Sequence, residues 1–201
     1  MNLMNSTTYP DEISLVTRAM RGDLEAFNQL VLSYQDLAYG LARSLLDDPF
    51  HAEDVTQESF IKAFQKIRQF RGGSFRSWLL KIVTHTAYDH LRQYKRQVTV
   101  PLFPEDERGE EIESPSWVAD PGPSTEAIVE QGELSGTIQR LLDELPEAYR
   151  SVISLIDLYE LDYKEAAEIL NVPVGTIKSR LARARLQMKE KILSSQVIEV
   201  Q

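Results

Sequence analysis

The sequence predicts an all-α fold: two small helical domains joined by an acidic, proline-rich linker, the second domain carrying a helix-turn-helix. Three observations carry this. Apolar residues recur at helical spacing almost without interruption from Asp11 to about Tyr94, and again from about Thr125. Between these stretches Pro101, Pro104, Pro115, Pro121 and Pro123 exclude a long helix. No segment alternates apolar and polar residues as a half-buried strand does.

Residues 1–9 are polar and read as a disordered tail. Leu15, Ala19 and Met20 open the first helical pattern. A second runs from Asp23 to Leu46 through Phe27, Leu30, Val31, Tyr34, Leu37, Ala38, Leu41 and Leu45, and stops at Asp48 and Pro49. Val55, Phe60, Ile61, Ala63 and Phe64 mark a third from Ala52 to Ile67. Gly72 and Gly73 then make a turn, after which Ser74 or Ser77 caps a helix through Trp78, Leu79, Ile82, Val83, Ala87 and Leu91. These make a four-helix globule over residues 10–97. In residues 98–124 seven carboxylates, from Glu105 to Asp120, face only Arg108. Such a segment builds no core. Fully extended, about 27 residues reach about 90 Å, which permits two domains to sit far apart. The second domain, residues 125–194, begins with Ile128, Leu134, Ile138, Leu141 and Leu142 before Pro146, and continues with Tyr149, Val152, Ile153, Leu155 and Ile156.

The most informative stretch follows, DYKEAAEILNVPVGTIKSRLARARLQMKEK at 162–191. Asp162 and Glu165 have the spacing of a capping box. Ala166 and Ala167 are small where a second helix approaches. Asn171 tolerates the left-handed turn conformation, and Pro173 ends one helix and suits the start of the next. Gly175 lets that start lie close to its neighbours. Ile177, Leu181, Ala184 and Met188 make one apolar face, and Lys178, Arg180, Arg183 and Arg185 occupy the rest. An inward apolar stripe with outward cations is what a helix needs to enter a major groove. Thr176, Lys178, Ser179, Arg180 and Arg183 are the candidates for duplex contact. Arg185, Lys189 and Lys191 fall beyond the groove, as backbone contacts or solvated charge.

The 201 residues carry a net charge of −9, are 42% hydrophobic and include no cysteine. Disulfides, thiolate metal sites and a cysteine nucleophile are excluded. The most apolar run, from Trp78 to Val83, is interrupted by Lys81 and too short for a bilayer, and no signal peptide is visible, so a cytoplasmic protein without membrane insertion is expected. A stand-alone duplex binder is usually basic. This chain instead segregates charge, with cations at Arg92, Lys95 and Arg96 and again from Lys178 to Lys191.

Two helical domains, the second ending in VPVGTIKSRLARAR, resemble the sigma factors of bacterial RNA polymerase, in the compact extracytoplasmic-function type that keeps regions 2 and 4. The first domain supports this: AEDVTQESFIKAFQKI at 52–67 is similar to the segment that docks on the polymerase clamp helices, and FRGGSFRSWLLKIVTHTAYDHLRQYKR at 70–96 to the segment that melts and reads the −10 element. The resemblance implies core RNA polymerase and promoter DNA as partners, an anti-sigma protein as a further partner to look for, and no cofactor or metal. It implies polymerase contact through Asp54, Gln57, Glu58 and Ile61, −10 contact through Phe70, Arg71, Ser74, Phe75, Lys81, His85 and Arg92, and −35 contact by the 176–183 helix. Aromatic faces and cations are what hold unstacked bases and their phosphates. Trp78, at helical spacing from Ile82, reads instead as core. Many relatives have Asn where this chain has His85, which changes the donor and acceptor pattern offered there. The acidic segment 98–124 would thread the cationic nucleic-acid channel of the enzyme.

Two other functions compete. A stand-alone helix-turn-helix regulator with a helical dimerisation or sensing domain predicts a palindromic operator and no dependence on polymerase. An enzyme needs a clustered catalytic or metal set. Asp47, Asp48, His51, Glu53 and Asp54 are the only dense group, at a helix boundary where acids serve as caps. His85 and Asp89 lie one turn apart, but His90 points elsewhere and His51 is in another segment, so no three-ligand set is visible.

Overall fold

The computed structural model describes residues 10–98 and 136–198. Among them are eight helices and no strand: α1 (Pro10–Met20), α2 (Leu24–Leu45), α3 (Pro49–Lys66), α4 (Phe75–Val98), α5 (136–143), α6 (Glu147–Ile153), α7 (Tyr163–Leu170) and α8 (Val174–Ile198). The tail 1–9, the acidic segment and the onset of helical pattern near Thr125 lie outside the described residues.

Local chemistry places the boundaries. Asp23 caps α2 by accepting from the Ala26 N–H at 3.1 Å, and that bond, with Arg18 beside it, holds the Asp23 carboxyl below its ordinary 3.8. Asp48 caps α3, with Pro49 in the first turn where a missing N–H costs nothing. Of the two serines offered for α4, Ser74 is the cap, its hydroxyl accepting from the Ser77 N–H at 3.1 Å. Gly72 and Gly73 precede it at φ +89, a conformation that a side chain disfavours.

In the first lobe α2 packs on α1, α3 and α4. Its stripe of Phe27, Leu30, Ala38, Leu41 and Leu45 is buried. Each large member contributes about 1.5–3 kcal/mol on transfer from water. At one end Phe75 stands among Tyr34, Phe70 and Trp78, with ring centres 5.3, 6.1 and 5.5 Å away. In the second lobe α8 packs on α6 and α7. Between α6 and α7 a single π-type turn, Ser154–Leu158, closes with the Tyr159 N–H on the Ser154 carbonyl and projects Tyr159 out of the lobe.

The two lobes are not far apart. α2 touches α6 and the π-type turn, α4 touches α7, and the buried apolar residues of both lobes form one cluster. Arg150 of α6 is the buried peg of this contact. It is 6% exposed, donates to the carbonyls of Asp143, Leu145 and Leu45, and pairs with Asp47. Leu45 and Asp47 belong to the first lobe, so the carbonyl-rich end of α2 is closed by a cation from the second. The described parts of the two lobes are therefore in direct contact in this form.

Candidate nucleic-acid interface

The helix-turn-helix is assembled as its spacing predicts. Asp162 accepts from the Lys164 and Glu165 N–H groups, and Glu165 accepts from the Asp162 N–H at 3.0 Å, a complete capping box. Asn171 ends α7 at φ 52, ψ 49. α8 then starts on the Pro173 carbonyl, which accepts from the Thr176 N–H. Ile177, Leu181 and Ala184 of α8 are buried, as are Ala166, Ala167 and Ile169 of α7, and α8 packs on both α6 and α7. That fixes the roll of α8 and turns the opposite face outward. Lys178, Ser179 and Arg183 are exposed there, with Thr176 and Arg180 half-buried at its edges. One expectation fails: Gly175 is exposed and an added Cβ would meet nothing within 4 Å, so close approach does not explain this glycine.

The cations of α8 divide into two sets. Lys178 extends over the Tyr163 ring, 5.9 Å from its centre. Tyr163 thereby supports a candidate contact residue, although nothing in its own sequence position marks it out. Arg185, whose spacing suggests DNA backbone or solvent, is instead held by Asp157 through two bonds of 2.9 and 2.6 Å, and the first cause of its raised pKa is that carboxylate. Lys191 pairs with Glu144. Arg185 and Lys191 thus tie α8 to its own lobe, and Lys178 and Arg183 face outward.

The candidates for melted DNA also divide. Arg71 and Ser74 are exposed around the Gly72–Gly73 turn, and Arg92 is exposed beside Asp89 at 3.0 Å. Lys81 is half-buried on α4. Phe70 and Phe75 are a correction. They are 8% and 2% exposed, locked edge-on with Trp78 and Tyr34, and offer no free ring face to a base. Their apolar area is better hidden than left beside a loop, and a four-ring cluster hides it. Trp78 is half-buried in that cluster, as its spacing predicts. The His85 Nε2 lies 2.9 Å from the Ile169 carbonyl. A carbonyl only accepts, so this nitrogen carries the proton and Nδ1 is left as acceptor in the neutral ring.

On α3, Asp54, Gln57, Glu58 and Ile61 are all exposed. Their spacings of three and four place them in one stripe. Phe64, 43% exposed, continues it one turn on. Glu58 pairs with Lys62 at 2.8 Å. A polar row edged by two uncovered apolar side chains suits a partner that is basic and partly apolar.

Among the described residues no group of three His, Asp or Glu side chains could hold a metal ion. His51 and His90, placed apart by sequence, in fact meet with ring centres 4.6 Å apart, and Tyr94 packs on His51. The pair joins α3 to α4 without a third ligand. No described helix is long and apolar enough to cross a membrane.

The family model for Sigma-70 region 2 matches residues 30–97, and that for Sigma-70 region 4 matches residues 135–188. The RNA polymerase sigma-H factor of Pseudomonas aeruginosa is 36% identical, over 89% of this chain and 92% of that one. The ECF RNA polymerase sigma factor SigW of Bacillus subtilis is 35% identical, over 88% and 94%. Among solved structures, the sigma factor RpoE of Bartonella quintana, in complex with the anti-sigma factor NepR, is similar at TM-score 0.61 and 28% identity over 82% of this chain and 94% of that one. CnrH, in complex with the cytosolic domain of CnrY, shares the fold at TM-score 0.64, with 22% identity over 92% and 99%.

Proposed function

The chain belongs to the sigma-70 family of RNA polymerase sigma factors, in its extracytoplasmic-function branch, and from that premise we infer how its residues direct promoter-specific initiation. Core RNA polymerase and promoter DNA are its partners. The lobe of residues 10–97 docks on core enzyme and holds the melted −10 strand. Residues 98–124 link it to the lobe of residues 125–194, which reads the −35 duplex. The chain supplies recognition, and the catalytic centre is the polymerase's. Its place of work is the cytoplasm, where polymerase and DNA are. An anti-sigma protein, as in the complex solved for RpoE of Bartonella quintana, is a further partner for this chain.

The observation that carries this reading is the α7–α8 unit, which buries Ile177, Leu181 and Ala184 and leaves Lys178, Ser179 and Arg183 outward. Those side chains reach phosphates and guanine edges in a major groove. Arg71, Ser74, Lys81, His85 and Arg92 supply donors and cations to the opened strand, with Phe70 and Phe75 shaping the loop from beneath. Low intrinsic DNA affinity suits a chain of net charge −9, because core enzyme mounts both lobes and makes the second contact intramolecular.

Docking through α3 is directly testable. Ile61→Asp and Glu58→Lys are expected to weaken binding to core RNA polymerase about tenfold or more each, with the helical circular dichroism signal and thermal midpoint near wild type. Exposed substitutions seldom change stability by more than about 0.5 kcal/mol. Fluorescence anisotropy against purified core enzyme measures the effect. Unchanged affinity in both variants removes α3 from the docking surface.

A further inference from the structure

Two cations on α8, Lys178 and Arg185, are held in opposite ways. Arg185 spends two N–H bonds, of 2.9 and 2.6 Å, on the Asp157 carboxylate. Lys178 has no carboxylate partner among the described residues, and its Nζ stands over the Tyr163 ring, 5.9 Å from the centre. The acids nearest that ring in sequence are engaged elsewhere. Asp162 accepts from the Lys164 and Glu165 N–H groups, and Glu165 accepts from the Asp162 N–H and the Ser77 hydroxyl. A ring face is therefore what holds Lys178.

The two kinds of grip leave different things for a ligand. A carboxylate takes up N–H donors and cancels charge. A ring face attracts the ammonium through its quadrupole, so the lysine keeps its charge and the donors on its far side. An unheld lysine is flexible, and fixing it on binding costs rotamer entropy. A support that narrows this freedom before DNA arrives lowers that cost. Contact with a phosphate carries no sequence information and tolerates a loose cation, whereas contact with a base edge needs an aimed one.

The ring and the lysine are both firmly based. Tyr163 is the first residue of α7, directly after Asp162, so the capping box fixes its backbone. Ile177, the neighbour of Lys178, is fully buried, and Leu181 one turn on is 2% exposed. The ammonium and the ring thus meet across the two helices of the helix-turn-helix.

We propose that Tyr163 is a positioning residue for promoter recognition, its ring holding Lys178 aimed at a base edge and so setting the base preference at one step of the −35 element. The inference rests on the reading of α8 as the −35 helix. Guanine, with its O6 and N7 acceptors in the major groove, is the base this cation favours.

The test is transcription by the full chain, reconstituted with core RNA polymerase, from a promoter library randomised across the −35 element. Lys178→Ala locates the base pair, as the one where preference collapses. Tyr163→Leu keeps apolar bulk but has no ring face. It is expected to reduce preference at that same pair about three- to fivefold and to leave the other pairs within about 1.5-fold. Tyr163→Phe keeps the face and is expected to hold preference within about 1.5-fold of wild type. In the Lys178→Ala background, Tyr163→Leu is expected to change preference no further. Tyr163→Met, also without a ring, repeats the comparison if Tyr163→Leu does not fold. An equal effect of Tyr163→Leu with and without Lys178, or a loss spread evenly over all −35 sequences, overturns the positioning role. A Tyr163→Phe defect as large as that of Tyr163→Leu overturns the hold by the ring face. A library in which Lys178→Ala alters no position removes Lys178 from −35 reading, and the positioning role falls with it.

Discussion

Replacing Lys178, Arg180 and Arg183 together with alanine is expected to cut transcription from a −35-dependent promoter by about 100-fold, with affinity for core polymerase unchanged. Each contact of a cation with a base edge is worth about 1–3 kcal/mol, so three at the low end supply about 3 kcal/mol, a factor above 100. The helix itself survives the change. Lys178 and Arg183 are exposed and alanine favours helix, while the fixing residues Ile177, Leu181 and Ala184 remain. Run-off transcription and core binding, measured in parallel, separate recognition from docking. The salt dependence of promoter binding should also flatten by about 0.9 in log–log slope for each phosphate that is no longer neutralised. Transcription within about threefold of wild type would remove α8 from promoter reading.

Phe75→Ala is expected to destabilise the protein by about 3–5 kcal/mol, read as a lower urea midpoint. The residue is 2% exposed at the meeting of Tyr34, Phe70 and Trp78. Truncation leaves a void lined by rings that cannot all collapse into it. The same experiment separates the two roles the sequence allows. A ring used for stacking on bases would be a surface ring, and its loss would change stability by no more than about 0.5 kcal/mol while weakening DNA binding. A large shift in midpoint assigns Phe75 to the core.

Much of the architecture is legible in the amino-acid sequence, for identifiable reasons. Helix ends are legible where a single residue imposes them: Asp48 with Pro49, Asp162 with Glu165, and Asn171 each act through local bonds that need no tertiary partner. The roll of α8 is legible because Ile177, Leu181 and Ala184 share one face at helical spacing. Aromatic residues flanking a glycine turn are not resolvable in the same way. Phe70 and Phe75 suit a base-stacking loop and a ring cluster equally, and only the approach of Tyr34 from α2 decides. Charges are the least legible. Arg150 lies in an amphipathic helix like any surface arginine, yet it is buried across the lobe contact by Asp47 and the Leu45 carbonyl, about a hundred residues earlier. Arg185 is likewise held by a carboxylate distant in sequence, Asp157, but within its own lobe and nearer the surface.

The closed arrangement also bears on the acidic composition. Among the candidate DNA residues, His85 is committed to a main-chain carbonyl of the second lobe, and Arg92 lies beside Asp89. The outward cations of α8 belong to a chain of net charge −9, so weak duplex affinity is expected of the chain in isolation. Mounted on a larger enzyme, the same lobes are expected to gain from each other's attachment.

The measurement that bears most directly on the whole account is reconstitution of the purified chain with core RNA polymerase on genomic DNA, with mapping of transcript 5′ ends. The account predicts starts that appear only when both components are present and that lie downstream of two shared sequence elements. A chain that ignores core enzyme, and instead binds a palindromic duplex alone, would contradict it.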